Sequence, residues 1–305
     1  MDLKQLEALA AVAAHGRFSA AARALDTVQS NVSTRIARLE EELGAVLVDR
    51  GLGRLSPEGQ VVLARALRIQ TEVQSIRDDV ASMTSRVTGG VRLGIIGTPV
   101  RWLLPAVLDE LAKRHPGVEA TVTDATTASL VSLLEGGSLD LAVSNMPVSH
   151  DELVSGPLWD EQMVVIAPSD HPLAADGDRD VTFAELAGHR LLLGPPDSSL
   201  RRLVDDAATR RGVTLESMAE LDGIRMAATL AFQGYGPAVV PITSIPEWAE
   251  RGNWNVLALE EMPPRRVGLV VRRRGLLSAA AVATRQVVRD VVRELAPDID
   301  GVRAV

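Results

Sequence analysis

The stretch from Arg17 to Gly44, RFSAAARALDTVQSNVSTRIARLEEELG, decides how this chain is read. It predicts two short helices joined by a tight turn, followed by a basic wing and a long helix. Phe18 supplies an apolar residue ahead of an N-cap at Ser19, and Ala20 to Leu25 is a run of strong helix formers. Asp26 and Thr27 break that helix, because both side chains can bond nearby backbone groups and favour turns. The second helix then runs to Leu43, and Gly44 fits the position past its end.

Within that second helix Val32, Ile36, Leu39 and Leu43 recur at spacings of 4, 3 and 4, which makes one buried stripe. At about 100° per residue, Ser30, Asn31, Thr34 and Arg38 point away from it, with Gln29 and Ser33 flanking the first turn. Such a small, hydroxylated, amide-bearing face suits a DNA major groove, where amides and hydroxyls bond base edges. The amides of the helix N-terminus suit phosphate. The plain alternative is the solvated face of an ordinary helical hairpin.

A specific resemblance separates these readings. The string AAARALDTVQSNVSTRIARLEEELGAVLVDR, Ala20 to Arg50, resembles the N-terminal winged helix-turn-helix of LysR-type transcriptional regulators. The match includes Gln29-Ser30 at the start of the recognition helix, Val32-Ser33, and Leu39-Glu40-Glu41-Glu42-Leu43-Gly44 at its end. It continues into the downstream layout and so covers essentially the whole chain. In the family Thr34 is often arginine, and the wing tip is usually longer and more basic than Gly51-Leu52-Gly53.

Composition agrees with a large folded protein but does not reveal this function. A chain of 305 residues, 46% hydrophobic and 24% charged, suggests about two domains with sizeable cores. No apolar run approaches the ~18–20 residues of a membrane helix, and the start carries Asp2, Lys4 and Glu7 in place of an apolar leader. The expectation is a cytoplasmic protein with no membrane partner. The absence of cysteine excludes disulfides, thiolate metal sites and cysteine nucleophiles. The net charge of −8 argues against a uniformly basic nucleic-acid module. In the first 60 residues Lys4, Arg17, Arg23, Arg35, Arg38, Arg50 and Arg54 face eight acidic side chains. The DNA argument therefore rests on placement: Arg35, Arg38, Arg50 and Arg54 surround the contact face, and Glu40 to Glu42 can turn away from it.

Residues 2–15 read as an amphipathic first helix with Leu3, Leu6, Ala10 and Ala13 inward. Ala45 to Asp49 reads as a short strand leading into the wing. Ser56-Pro57-Glu58 opens a long helix expected to reach about Ser85, some 45 Å at 1.5 Å per residue. Its apolar positions Val62, Ala66, Ile69, Val73, Ile76, Val80 and Met83 are spaced 4, 3, 4, 3, 4, 3, an unbroken heptad seam. Such a seam predicts a homodimer; packing on its own domain is the alternative. The resemblance makes this the family's dimerising linker helix and allows a homotetramer.

Thr88-Gly89-Gly90 reads as a hinge-like break, after which strands and helices alternate. That order implies α/β architecture with a parallel sheet covered on both faces, as one sheet or two small domains. The resemblance implies two α/β lobes like those of type 2 periplasmic binding proteins, with crossovers near Trp159–Glu161 and Met262–Arg266. The expected division is a winged helix-turn-helix over 1–60, a linker helix over 56–86 and an effector domain over 88–305. Within the last, lobe 1 spans 88–160 and 266–305, and lobe 2 spans 161–265.

No catalytic or metal-binding constellation emerges, and nothing asks for a cofactor. Five histidines are scattered without ligand spacing, and no serine sits in a nucleophile elbow. Small-molecule binding has a better case, since ligands in open α/β sheets sit at strand C-termini facing helix N-termini. Thr98-Pro99 ends the first strand, Thr126-Thr127-Ala128-Ser129 follows the second, and Asn145 follows the third. Each hydroxyl taken alone reads as a helix cap, with Thr98 the natural cap of its helix. Thr98, Thr127 and Asn145 match the family's effector-contact positions, and Ser198, Ser199 and Gly223 are candidates from the second lobe. Where family members with carboxylate effectors can place an arginine, position 145 is asparagine. A small polar or singly anionic effector is therefore expected. The competing function is a cytoplasmic solute-binding α/β protein whose N-terminal helices serve oligomerisation only.

Overall fold

The structure, a computed structural model, describes residues 1–49, 51, 53–82, 86–175, 179–246, 249 and 252–305. The chain divides into two compact units, one built on residues 1–85 and the other on most of residues 86–305.

The N-terminal unit contains α1 (Leu3–His15), α2 (Phe18–Ala24), α3 (Gln29–Leu43), the ribbon of β1 (Val48–Asp49) and β2 (Arg54–Leu55), and α4 (Pro57–Ser82). Val32, Ile36 and Leu39 are fully buried against Leu6, Leu9, Val12 and Ala21. Each large side chain so buried contributes about 1.5–3 kcal/mol relative to exposure. Gly44 takes a left-handed conformation with φ 64° and stops α3, as its place in the sequence predicts. Glu40 fixes the ribbon to α3, its Oε1 accepting from the Leu47 and Val48 amides at 2.8 and 3.2 Å.

Two local expectations change here. The buried face of α1 is centred on Leu9 and leaves Leu3 43% exposed, because α1 is packed against α2, α3 and α4 together. The N-cap of α2 is Arg17 without a side-chain bond, so Ser19 lies inside the helix and caps nothing.

The C-terminal unit opens with β3 (Thr88–Ile95), α5 (Leu103–Arg114), β4 (Gly117–Asp124), α6 (Thr127–Glu135), β5 (Leu141–Asn145) and β6 (Leu153–Glu161). A second set follows: β7 (Met163–Pro168), β8 (Asp180–Val181), α7 (Phe183–Leu186), β9 (Arg190–Leu193), α8 (Ser199–Thr209) and β10 (Glu216–Glu220). It continues with α9 (Ile224–Phe232), β11 (Ala238–Pro241) and β12 (Trp254–Leu259). The chain ends with β13 (Arg265–Arg272), α10 (Ala279–Leu295) and β14 (Val302–Ala304).

These strands form two six-stranded sheets, ordered β14-β6-β13-β5-β3-β4 and β10-β9-β11-β7-β12-β8. The chain passes from the first sheet to the second between β6 and β7, and returns between β12 and β13. Both sheets are mixed, which corrects the purely parallel arrangement. Strands β3, β4 and β5 run parallel, and β13, β6 and β14 are added antiparallel. Strand β6 carries Gly156-Pro157, which reads locally as a break. The sheet accommodates it at a register shift where Val267 and Gly268 face Trp159 and Pro157.

Thr88-Gly89-Gly90 is not a break. These residues start β3 and pair with Gly117, Val118 and Glu119 of β4. The backbone hydrogen bonds of a neighbouring strand outweigh the weak strand preference of two glycines.

Candidate DNA-reading face and effector cleft

Helix α3 presents Gln29, Ser30, Asn31, Thr34 and Arg38 exposed, with Ser33 and Arg35 half-buried. Its N-cap is Val28, which offers no side-chain acceptor; the Asn31 amide donates to the Val28 carbonyl at 3.0 Å, and the Gln29 and Ser30 amides have no acceptor among the described residues. Asn31 Nδ2 donates to Thr27 Oγ1 at 3.0 Å and braces the turn before the helix. Arg54 is exposed on β2, at the base of the wing. Arg50 and Met83, expected in DNA contact and in the dimer seam, lie outside the described residues.

The seam of α4 is divided. Ala66 is fully buried in the core of the N-terminal unit and is not free to meet a partner as the heptad pattern suggested, while Val62 packs against the same core and is only partly buried. Ile69, Ile76 and Val80 are 37%, 63% and 62% exposed, and Val73 is half-buried.

In the C-terminal unit a cleft of about 920 Å³ lies between the two sheets' lobes. Thr98, Thr126, Thr127, Asn145, Ser198, Ser199 and Gly223 all line it. Pro99 and Ser129 do not line the cleft. Pro99 is buried with its carbonyl accepting from the Leu103 amide at 2.9 Å, and the Ser129 hydroxyl turns back onto Thr126 Oγ1 at 3.1 Å.

Hydroxyls and one amide close this cleft from both sides. Asn145 Nδ2 donates to Thr127 Oγ1 at 3.1 Å and to Ser199 Oγ at 2.9 Å, across the lobes. Ser144 Oγ and Ser199 Oγ also reach Thr127 Oγ1, at 3.2 and 3.3 Å. Thr126 receives the Ser129 amide and Ser198 the Arg201 amide, so these two are helix caps that also face the cleft. Asn145 Oδ1 is buried with no hydrogen-bond partner among the described residues.

Thr98 has another role than the expected cap. It is fully buried, α5 begins only at Leu103, and Thr98 Oγ1 accepts from Arg265 Nη2 at 2.6 Å. Arg265 in turn pairs with Glu161 through Nε at 2.8 Å and through Nη2. Glu161 also accepts from Thr243 Oγ1 at 2.5 Å. The two charges are 3% and 0% exposed, so each depends on the other for compensation.

Sequence reasoning missed this pair. Its one local trace is the alternation Arg265, Val267, Leu269, which puts a charge on the inward face of β13. Arg225 and Asp124 were missed as well. They form an ion pair between the lobes, and a Cβ added to Gly97 would lie 2.9 Å from Arg225 Nε. Glycine is what lets Arg225 settle against that turn. Arg101 reaches the second lobe by donating from Nη2 to the Ser244 carbonyl at 2.8 Å. Burial, and then the nearby Arg225 charge, hold the Arg101 guanidinium below its ordinary pKa. Charged residues lining the cleft balance: Arg201, Arg202, Arg225 and Arg265 stand against Asp124, Asp197, Asp206 and Asp222.

A winged helix-turn-helix with a long following helix and a two-lobed α/β ligand domain defines a class, the ligand-controlled DNA-binding regulators. Residues 3–60 match the bacterial regulatory helix-turn-helix protein, lysR family, and residues 84–293 match the LysR substrate binding domain. The chain belongs to the LysR family of DNA-binding transcriptional regulators, with an effector-binding domain.

A probable hydrogen peroxide-inducible genes activator of Mycobacterium avium is 34% identical over 271 residues, 88% of this chain and 86% of its own. The RuBisCO operon transcriptional regulator of Allochromatium vinosum is 30% identical, over 94% and 95% of the two chains. Full-length OxyR of Pseudomonas aeruginosa, solved as a cysteine variant, shares the fold with a TM-score of 0.73 at 24% identity, over 96% and 95% of the chains. Membership in a regulator family sets aside the solute-binding alternative and any enzymatic role. No helix among the described residues is long and apolar enough to cross a membrane.

Proposed function

We propose that this regulator reads DNA with α3 and is switched by a small polar or singly anionic metabolite held between its lobes. Base reading falls to Gln29, Ser30, Asn31, Ser33 and Thr34, with Arg35, Arg38, Arg50 and Arg54 on the sugar–phosphate backbone. What supports this is the uncapped α3 N-terminus beside an exposed amide and hydroxyl face. A homodimer or homotetramer forms through the exposed part of the α4 seam, Ile69, Val73, Ile76 and Val80, continued by Met83. The working boundaries are 1–60 for DNA binding, 56–86 for the linker helix and 88–305 for the effector domain, and the protein acts in the cytoplasm.

The observation that carries the switch is the Thr127–Asn145–Ser199 cluster, which ties residues of both lobes around one cavity. Relatives named for hydrogen peroxide raise peroxide as a signal. This chain has no cysteine to oxidise, so its switch is a bound ligand and not a thiol reaction. A ligand favours one lobe arrangement only through its differential contacts with the two.

The test is a footprint on the DNA flanking the protein's own gene, with and without candidate metabolites. Deleting residues 1–60 should abolish protection, and Thr98→Val with Thr127→Val should abolish the metabolite's effect while basal binding survives. Protection that survives the deletion would overturn the assignment of DNA reading to α3.

A further inference from the structure

We propose that Asn31 reads an adenine in each DNA half-site, and that Thr27 is the positioning residue that aims it. This rests on the reading of α3 as the DNA-contacting helix and names the base that one of its residues selects.

The turn before α3 is fixed by backbone bonds. The Leu25 amide donates to the Ala21 carbonyl at 3.0 Å, the Asp26 amide to the Arg23 carbonyl at 3.2 Å, and the Thr27 amide to the Ala22 carbonyl at 2.9 Å. Asp26 takes a left-handed conformation with φ 47°, which aspartate adopts more readily than most residues. Thr27 is therefore tied to the end of α2, and it is half-buried.

Asn31 donates from Nδ2 to the Thr27 hydroxyl at 3.0 Å, from an exposed position in the first turn of α3. A side-chain amide carries two N–H donors and one carbonyl acceptor. Thr27 engages one N–H, and the Asn31 side chain makes no other hydrogen bond among the described residues. A donor and an acceptor thus remain side by side on one amide. In the major groove adenine presents the matching pair, its N6 amino group as donor and N7 as acceptor. Cytosine offers only a donor, guanine only acceptors, and thymine one acceptor beside a methyl group. Asn31 completes both of its free groups on adenine alone.

Placement favours base reading over a brace that serves the turn only. The N-terminal residues of a recognition helix are those that reach base edges. At about 100° per residue, Asn31, Arg35 and Arg38 fall on one flank of α3, so two guanidiniums can hold the sugar–phosphate backbone on the side where Asn31 reads. An amide already oriented by Thr27 also loses less side-chain freedom on docking.

The test uses double-stranded DNA selected from a random library by the full chain, followed by gel shifts on the selected sequence. Each adenine of one half-site is replaced in turn by unsubstituted purine, which lacks the N6 amino group, and by 7-deazaadenine, which lacks N7. At one adenine each analogue should weaken parent binding about tenfold, the size of one good base contact. Asn31→Ala should bind the adenine and both analogues alike. Thr27→Val removes the same hydroxyl bond but keeps the amide, so it should still prefer adenine by a smaller ratio, and Thr27→Ser should restore the parent's ratio. A brace alone would lower melting equally in Asn31→Ala and Thr27→Val and leave both at the parent's analogue ratios.

A library that yields no preferred sequence overturns the reading of α3 as well. A preferred sequence in which no adenine responds to both analogues, or whose ratios are unchanged in Asn31→Ala, overturns this proposal alone. Thr27→Val at the parent's ratio overturns the positioning role. If Asn31→Ala does not fold, Asn31→Asp decides, since it keeps the acceptor and lacks the donor. It should respond to purine and not to 7-deazaadenine, and any other response overturns the proposal.

Discussion

The outer face of α3 and the floor of the effector cleft are both polar, but they are built in opposite ways. On α3 the polar groups are neighbours in sequence, exposed, and placed by one helical turn after another. In the cleft they come from the turn after β3 and from α6, β5, α8 and β13, and several are buried. An exposed reading face can be altered one side chain at a time with little consequence for folding. A buried floor is a network in which removing one partner strands another. The difference teaches that the same residue types stand free at the surface on α3 and are tied into the folded network in the cleft.

That comparison can be broken or sharpened by four measurements. The largest effect should come from splitting the dimer. Ile69→Asp with Ile76→Asp places two charges on the exposed seam of α4, and sedimentation should then show monomers. Operator affinity should fall by about 10²–10⁴, because two half-sites no longer share one binder. An unchanged oligomer would remove α4 from the interface.

Next comes the cleft floor. Glu161→Ala leaves Arg265 buried without its counter-charge and should destabilise the chain by about 3–5 kcal/mol in urea unfolding. Replacing both partners by a glutamine and a leucine of similar bulk should recover much of that loss. A single variant that unfolds like the parent would mean the floor is as tolerant as the outer face of α3.

The reading face should be milder and show itself only in binding. Gln29→Ala or Ser33→Ala should each cost about 1–3 kcal/mol of operator affinity by gel shift, with melting unchanged. Arg54→Ala should weaken all DNA alike and reduce the salt slope by about 1. If both uncharged variants bind like the parent, α3 does not read bases through them.

The smallest effect lies away from both regions and calibrates them. Glu185 accepts from the Thr182 amide, from Arg179 and from the Thr182 hydroxyl, which together hold its pKa down, from an ordinary 4.5 to about 2. A depressed carboxylate adds stability that is present above its unfolded pKa and lost as pH falls through its folded one. The loss therefore falls between about pH 4.5 and pH 2. Its side chain is 39% exposed, so solvent screening keeps the contribution small. Glu185→Gln should slightly flatten the acid limb of a melting-temperature profile. An unchanged limb would show that exposed capping carboxylates leave no mark on stability here.

How far the sequence could be read follows the same division. Val32, Ile36 and Leu39 of the expected stripe and the end of α3 at Gly44 were legible because a helix repeats every 3.6 residues and its signals are local, whereas Leu43, expected in the same stripe, is 41% exposed. The same locality misled at Ser19 and at Thr88–Gly90, where packing or strand pairing overrode the local preference. On α4 the heptad pattern was visible, but not that Val62 and Ala66 are used by their own unit.

In the cleft, Thr127 and Asn145 were legible because they end or follow strands and begin helices, where ligands of α/β sheets gather. Arg225 and Arg265 were not. Their partners lie 101 and 104 residues away, at Asp124 and Glu161, and no periodicity links positions so far apart.

By itself, then, the sequence determined where the helices lie, most of the buried stripe of α3, the family, and the residue types available for DNA and ligand. Periodicity and capping act over a few residues, and so they are written into any short window. Only the tertiary structure decided which of those residues meet: a threonine expected as a helix cap holds a buried arginine, and an asparagine from one lobe bonds a serine from the other. Those meetings depend on how two sheets stack and where the chain crosses between them. A buried charge then takes whichever partner that arrangement brings within hydrogen-bonding distance.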